Sequence, residues 1–279
     1  MRDYSRPLLI PFAGLGDPWG VAVDAAGDLV VTDFERDPNA PPGLGVTKWA
    51  RARRVPADGS APVPLPIGGL ASPFGVAVNA GGDVYVADNN FATVVVLAAG
   101  TTAPTLLPGI GDDRKLADVA VGPDGAVYVA YQPGFIRGEG KGGVLKVDER
   151  NRRFGKPKHI VLPFDVRFPS GLAVDGRGSV YVVDGTTVWE WTPGEQSAKA
   201  LPFLGVHRPS HVAVDAAGAV YVTEGADRGR VVVLESGSGE TQVLPVDGLR
   251  QPRGVAVDAT GNVYIADLGN RRLVRVPVA

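Results

Sequence analysis

The sequence predicts an all-β fold, a six-bladed β-propeller of four-stranded antiparallel blades. One unit occurs six times: a strand such as GVAVD, a turn, and a strand such as YVAD. Nine positions separate the residue that ends the first strand from the residue that ends the second in every copy, whereas the copies themselves lie 40 to 55 residues apart. The 38 Gly and 24 Pro residues supply the turns that so many short strands require.

Each unit contains four predicted strands, A to D, from the propeller axis outwards. Strand A has a central Ala in all six copies, which suits the crowded strand nearest the axis. The turn from A to B has Gly at a fixed offset, as a tight hairpin with positive φ requires. Strand B carries a packing Tyr in five copies, and strand C is rich in β-branched and aromatic residues. Strand D is short and contains Pro, which an outer edge strand tolerates.

The two ends of the chain predict how the ring closes. Pro7 to Phe12, PLLIPF, resembles a strand D with no blade of its own, and the chain ends after a strand C, RRLVRVPVA. We therefore expect the N-terminal strand to complete the last blade, so that no edge is left between the first and last blades. The whole chain, residues 1–279, is predicted to be a single propeller domain.

Composition excludes several classes of function. The net charge is −2, so no nucleic-acid partner is expected, and the absence of Cys excludes disulfides and thiolate chemistry. The N-terminal MRDYSRPLLIPF lacks the basic and apolar regions of a signal peptide, and no apolar run is long enough for a membrane span. We expect a soluble monomer without a cofactor, cytoplasmic if this chain is full length and extracellular if it is an excised sensor domain.

The sixth copy, PRGVAVDATGNVYIADLGNRRLVRV, resembles the NHL repeat, and this resemblance extends over essentially the whole chain. The connection LIPFAGLGDPWG resembles, in particular, the propeller sensor domains of bacterial receptor-type serine/threonine kinases. The resemblance implies the six-bladed fold but does not transfer a function, since this fold serves binding modules, scaffolds and enzymes alike.

Positions where one copy departs from the others predict a site on the top face, which we define by the D-to-A and B-to-C connections. The entry to strand A is Gly in four copies, but Asp118 in blade 3 and His211 in blade 5. The preceding position provides Trp19, Phe74 and Arg253 in three neighbouring blades. We expect an unequal axial mouth, with aromatic and guanidinium groups on one side and an imidazole and a carboxylate on the other.

A second ring of residues ends strand B. The aspartates of this ring are expected to accept hydrogen bonds from the B-to-C turn, whereas Tyr131 and Glu224 are departures that an enzyme could use. Long B-to-C loops in blades 1 and 3 place Phe34 and Phe135 above the mouth, as lid aromatics or as side chains that pack their own loops.

His207 and His211 are four residues apart, and His207 is a candidate ligand contact. A metal site would need a third ligand, for which Asp118 and Glu224 are the candidates, but only one histidine clearly reaches the mouth, so no metal site is predicted. Basic runs at 51–54 and 150–158 are assigned to C-to-D turns on the bottom rim.

Three functions follow from these patterns. The first is a binding or sensor propeller whose top pocket takes a small molecule or a peptide segment. The second is an enzyme, a lyase, hydrolase or isomerase, with His211 as general acid/base and Asp118, Tyr131 or Glu224 as its helpers. The third is a scaffold that binds a protein partner on a rim.

Overall fold

The computed structural model describes residues 2–36, 47–107, 110, 114–134, 141–153, 156–237 and 239–279. Within them lie six four-stranded antiparallel sheets, and the innermost strand of each contacts the innermost strands of the next and the previous sheet. The predicted all-β, six-bladed propeller is therefore confirmed. No helix in these ranges is long and apolar enough to cross a membrane.

The strands are numbered along the chain, and strand β1, Leu8–Ile10, precedes the first blade. Blade 1 contains β2 (Asp17–Val23), β3 (Leu29–Arg36), β4 (Thr47–Val55) and β5 (Val63–Pro64). Blade 2 contains β6 (Pro73–Val78), β7 (Val84–Asp88), β8 (Thr93–Leu97) and β9 (Thr105–Leu106). Blade 3 contains β10 (Arg114–Val121), β11 (Val127–Pro133), β12 (Gly143–Arg153) and β13 (Lys156–Val161).

The second half of the ring repeats this order. Blade 4 contains β14 (Pro169–Val174), β15 (Val180–Asp184), β16 (Thr187–Trp191) and β17 (Lys199–Ala200). Blade 5 contains β18 (Pro209–Val214), β19 (Val220–Glu224), β20 (Arg230–Leu234) and β21 (Thr241–Val243). Blade 6 contains β22 (Pro252–Val257), β23 (Val263–Asp267), a short 3₁₀ turn (Leu268–Asn270) and β24 (Arg272–Val276).

Strand β1 pairs antiparallel with β24 and completes blade 6, as the ends of the sequence predict. The residues before β1 extend this closure, since Tyr4 forms a bridge with Val278. Arg2 continues to blade 5, where its guanidinium contacts Asp215 and donates to the Tyr221 hydroxyl at 2.7 Å. The N-terminal segment thus ties the last two blades together.

Five of the six A-to-B hairpins begin with an Asp or Asn whose side chain accepts backbone N–H groups of the turn, and blade 3 has Gly122 there. In blade 6, Asp258 accepts the backbone N–H groups of Thr260 and Asn262, both at 2.9 Å, and the Tyr264 hydroxyl at 2.9 Å. Gly261 has φ of +93°, as the predicted turn requires. In blades 2, 4, 5 and 6 the Tyr of strand B therefore packs its ring in the core and also bonds the side chain that begins the turn through its hydroxyl.

The core is divided among the blade interfaces. Six clusters of buried apolar side chains lie between neighbouring blades, and the strand A alanines pack within them. Between blades 5 and 6, for example, Ala213 packs with Leu249 and Ile265. Because each blade buries both of its faces, the ring holds the inner strands rigidly around the axis.

A β-bulge opens strand A in every blade. Strand A has one residue more than strand B at this point, for example between Pro73 and Gly75 in blade 2 and between Pro209 and His211 in blade 5. The extra residues of the six blades are Trp19, Phe74, Ala117, Ser170, Ser210 and Arg253. A bulged residue is released from the ladder and its side chain is turned to a new direction.

The basic run at 51–54 lies inside strand β4, and its assignment to a turn on the bottom rim is wrong. Oδ2 of the buried Asp33 lies 2.8 Å from Nη2 of Arg51 and 2.7 Å from Nη2 of Arg53. Arg54 contacts Asp24. Strand C of blade 1 thus extends beyond the predicted GVTKWA and carries arginines that pair with carboxylates of strand β3 or of the turn between β2 and β3.

Candidate functional site

All six bulged residues line one cavity of about 160 Å³ at the top end of the axis. Gln132, His211 and Gly254 complete its lining. The bulge explains this convergence, because it directs the same position of each blade toward the axis. The sequence placed the unequal mouth at these positions, and the structure brings Trp19, Phe74, His211 and Arg253 together there.

Directly after the bulge, neighbouring inner strands approach too closely for most side chains. A Cβ atom on Gly75 would lie 2.0 Å from Oδ1 and 2.6 Å from Cα of Asp118. A Cβ on Gly171 would lie 2.7 Å from Cα of His211. Most blades therefore have glycine at this position because a Cβ atom would meet the next blade. The two blades with another residue here have Asp118 and His211, whose side chains contact each other.

Asp118 and His211 form that contact, although a whole blade separates them in the ring. Nε2 of His211 lies 2.9 Å from Oδ2 of Asp118. Asp118 is 1% exposed and also accepts the backbone N–H groups of Val119 at 2.8 Å and Leu172 at 2.7 Å. At 2.9 Å from a carboxylate oxygen, Nε2 carries a hydrogen, and in the neutral imidazole Nδ1 then has the lone pair.

Nδ1 of His211 is buried and has no hydrogen-bond partner in the described part of the chain. A buried polar atom without a partner is unusual and costs free energy, which marks it as a candidate contact for a ligand. The imidazole is therefore fixed by Asp118 on one side and presents a hydrogen-bond acceptor on the other.

Arg253 provides the second unusual group. Its guanidinium carbon lies 4.5 Å from the centre of the Trp19 ring, and its Nη1 donates to Oγ of Ser210 at 3.2 Å. Nε is buried without a partner, and no carboxylate of the described residues forms an ion pair with this side chain. Burial lowers the pKa of Arg253 from its usual value, although an arginine remains protonated.

The aromatic side chains hold this cation in place. Trp19 stacks on Phe74 with ring centres 4.5 Å apart and an angle of 11°, so Phe74 covers one face of the indole and Arg253 the other. Phe34 packs edge-on against both rings, at 5.9 and 6.3 Å. The predicted aromatic wall is thus largely a support for the guanidinium, and Phe34 packs inward.

The structure does not bring Glu224 into this group. Its carboxylate accepts the backbone N–H of His207 at 2.5 Å and lies 2.5 Å from Nε of Arg230. The aspartates at the same position in other blades act alike, and Asp88 accepts the N–H groups of Ala71 and Ser72. Their main role is to bind the connection that enters strand A, and the expectation that they bind the B-to-C turn holds for two of them. Asp88 accepts the backbone N–H groups of Asn90 and Phe91, and Asp267 accepts the side-chain amide of Asn270.

Tyr131 and His207 also lie away from the cavity, contrary to expectation. Tyr131 packs against the apolar cluster between blades 2 and 3, with the guanidinium of Arg114 4.5 Å from the centre of its ring. The side chain of His207 is exposed on the connection into blade 5. Phe135 lies outside the described residues.

Two contributors were missed in the sequence. Gln132 lines the cavity and donates to the carbonyl of Pro169 at 2.9 Å. Thr223 is fully buried. Its hydroxyl accepts the backbone N–H of His211 at 3.1 Å and donates to the backbone carbonyl of Arg253 at 2.7 Å, and both of these residues line the cavity. Thr223 had a detectable signal, since four of the six copies have Ala or Val at this position.

A second cavity, of about 370 Å³, opens at the bottom end of the axis. Residues of the A-to-B turns of blades 2, 3 and 4 line it, and its one carboxylate, Asp175, already accepts the N–H groups of Arg177 and Ser179. Within the described ranges, no three His, Asp or Glu side chains are grouped so as to hold a metal ion.

Comparisons with known proteins agree with this architecture. The family model of the NHL repeat matches residues 15–36 and 249–276. No curated protein matches the chain by sequence. The chain is thus a six-bladed β-propeller with NHL repeats in its first and last blades.

Solved structures match over nearly the whole chain. A gluconolactonase from Xanthomonas campestris matches with a TM-score of 0.72 and 18% identity, over 98% of this chain and 89% of that one. Virginiamycin B lyase from Staphylococcus aureus matches with a TM-score of 0.63 and 12% identity, over 99% and 100%. A nidogen/laminin complex matches with a TM-score of 0.69 and 16% identity, over 88% and 87%. At such identities the likeness concerns the fold alone.

Proposed function

We propose that this protein is a ligand-binding propeller, of the binding or sensor type, whose ligand is a small molecule held in the top axial cavity. One observation carries the proposal: six blades direct the same bulged position into a cavity where Nε of Arg253 and Nδ1 of His211 are buried without partners among the described residues. A ligand that pairs with these atoms would recover the free energy that their burial costs.

The size of the cavity supports a small molecule over a peptide segment. A volume of about 160 Å³ is below the range of roughly 300–1,000 Å³ that is common for drug-sized ligands. At four of the six blade interfaces the inner strands approach so closely that a Cβ on glycine would meet the backbone of the next blade, so the cavity has little freedom to widen.

A blocking variant tests this proposal without knowledge of the ligand. Ser170 lines the cavity and is partly exposed, and the same position in blade 2 is Phe74, so Ser170→Phe fills the space with a side chain that the fold accepts nearby. A library of small molecules would be screened by thermal shift against the unmodified protein and this variant.

The expected result is a set of compounds that stabilise the unmodified protein but not Ser170→Phe. Ala80→Phe is the matched control, because it introduces the same side chain at the bottom cavity and should retain the response. The proposal fails if the compounds that bind are unaffected by Ser170→Phe, or if only Ala80→Phe removes their effect.

The Asp118–His211 contact favours a second candidate, an enzyme that uses His211 as a general base. A buried carboxylate that fixes one imidazole nitrogen and leaves the other as an acceptor is an arrangement suited to proton transfer. The likeness to structures named as a gluconolactonase and a lyase is compatible with this reading but concerns the fold. Loss of turnover in His211→Ala with retained ligand binding would support it, whereas unchanged turnover would exclude it.

A further inference from the structure

The Arg253 guanidinium in the axial cavity is already positioned in the absence of a ligand. Trp19 supports one face of the Arg253 guanidinium, and Ser210 accepts one of its hydrogens. An arginine side chain normally loses much rotational freedom when it binds a ligand. Here the packing has already restricted it, so an anion would meet a positioned donor group at a reduced entropic cost.

Among the residues that the structure describes, no carboxylate forms an ion pair with this guanidinium. Asp118, the carboxylate next to the cavity, already accepts two backbone N–H groups and contacts His211. Charge-assisted hydrogen bonds between arginine and an oxyanion are about twice as strong as neutral ones, and desolvation strengthens them further.

The surroundings of the mouth add positive charge on the same side. Arg208, Arg228 and Arg250 are exposed on the connections of blades 5 and 6, and none of them forms an ion pair with a described carboxylate. These connections border the site, since a Cβ on Gly225 would lie 3.3 Å from Ser210 and 3.7 Å from Nη1 of Arg253. Asp227 and Asp247 lie on the same connections, so the three arginines leave a small excess of positive charge, which favours anions.

The imidazole specifies the other end of the ligand. Nδ1 of His211 is a buried acceptor, and it belongs to the residue that follows Ser210, the partner of Arg253. A ligand that places an oxyanion on the guanidinium and a hydroxyl near the imidazole would satisfy both unpaired atoms. A neutral carbonyl would accept from the guanidinium without the strength of a charge-assisted bond, and an anion without a donor group would leave Nδ1 unpaired.

We infer that the ligand of this cavity is a small hydroxycarboxylate, bound by its carboxylate to Arg253 and by its hydroxyl to Nδ1 of His211. This inference rests on the proposed function and adds the chemical class of the ligand. It excludes neutral sugars and amides as preferred ligands, although the cavity would have room for them.

Calorimetric titration with three probes tests the inference: glycolate, acetate, which lacks the hydroxyl, and glycolamide, which lacks the charge. We expect glycolate to bind the unmodified protein roughly tenfold or more tightly than glycolamide, as the loss of a charged hydrogen bond predicts. Acetate should bind more weakly than glycolate by roughly threefold to tenfold, because the buried Nδ1 stays unpaired.

Two variants with the same change of charge identify the group responsible. Arg253→Met keeps an apolar side chain against Trp19 but removes the cation, and it should weaken glycolate binding by roughly tenfold or more. Arg250→Met removes an exposed cation three residues away and should change binding by less than about threefold. Far-ultraviolet circular dichroism would show that both variants fold.

Three results would overturn the inference: equal binding of glycolate and glycolamide, equal loss of binding in both variants, or no binding of any probe. These failures differ from failure of the proposed function. If the thermal-shift screen finds neutral compounds that Ser170→Phe blocks, the cavity is a ligand site and only the assignment of an anion is wrong.

Discussion

Replacing Asp118 by asparagine tests the central contact of the site at the level of single atoms. The carboxylate accepts the N–H of Val119 through Oδ1 and the N–H of Leu172 through Oδ2, which is also the oxygen 2.9 Å from His211. An asparagine side chain has the same shape but only one oxygen. Whichever way the side chain is oriented, its NH2 group faces a backbone N–H, either that of Val119 or that of Leu172.

The cost follows from the number of donors left without an acceptor. One buried backbone N–H loses its partner and the amide hydrogens oppose it, each at about 1–3 kcal/mol, so we expect a total loss of about 2–6 kcal/mol. Asp165→Asn is the matched control, because Asp165 and its partner Lys141 are 82% and 75% exposed. That change should cost less than about 0.5 kcal/mol.

Urea denaturation would measure the loss, and ¹⁵N NMR of labelled histidine would report the imidazole. The chain has three histidines, so each signal is assigned by its own variant. We expect His211 to carry its hydrogen on Nε2 in the unmodified protein and to lose this preference in Asp118→Asn. The reasoning is refuted if Asp118→Asn is as stable as Asp165→Asn, or if His211 carries its hydrogen on Nδ1 from the start.

Three further variants test the architecture around the site. Gly75→Ala should destabilise the fold by about 3 kcal/mol or more in urea, because its Cβ would lie 2.6 Å from Cα of Asp118. Gly68→Ala, with nothing within 4 Å, should change stability by less than about 0.5 kcal/mol, and equal effects would contradict the crowding argument. Thr223→Val should lower the free energy of unfolding by about 1–2 kcal/mol and weaken ligand binding, because the Thr223 hydroxyl bridges the backbones of two cavity residues. Unchanged ligand binding in calorimetry would show that this bridge is dispensable. Burial raises the pKa of Tyr264 to about 12. The protonated hydroxyl therefore stabilises the folded state fully below about pH 10, and this stabilisation is lost as the pH rises to about 12. The urea midpoint should fall over this pH range, and less steeply in Tyr264→Phe.

Local signals determined most of the fold. The Gly of each A-to-B turn has positive φ, from +74° to +93°, as the hairpin sequences predict. Strands B such as VYVAD are apolar on both faces, and β7, β19 and β23 are buried at every residue because each blade packs against a neighbour on either side. The repeated hairpin therefore specified both the blades and their number.

Comparison of the six copies also located the mouth, because equivalent positions of a ring must point to a common axis. Trp19, Phe74 and Arg253 were identified at these positions from the sequence, and His211 and Asp118 from the next. The bulge that aims the first group was not predicted. The sequence feature that indicates the bulge is the Pro–x–Gly pattern at the start of strand A. Pro cannot donate a hydrogen bond to the strand ladder, and Gly permits the close approach of the neighbouring inner strand.

Tertiary structure decided which of the candidate side chains meet. Asp118 and His211 are 93 positions apart, and only the closed ring sets Nε2 2.9 Å from the carboxylate. Glu224 was indistinguishable in sequence from a cavity residue, yet Arg230 and the N–H of His207 hold it elsewhere. A repeat fixes the direction of its backbone by local rules, whereas the partners of a side chain depend on what neighbouring blades place within a few ångströms.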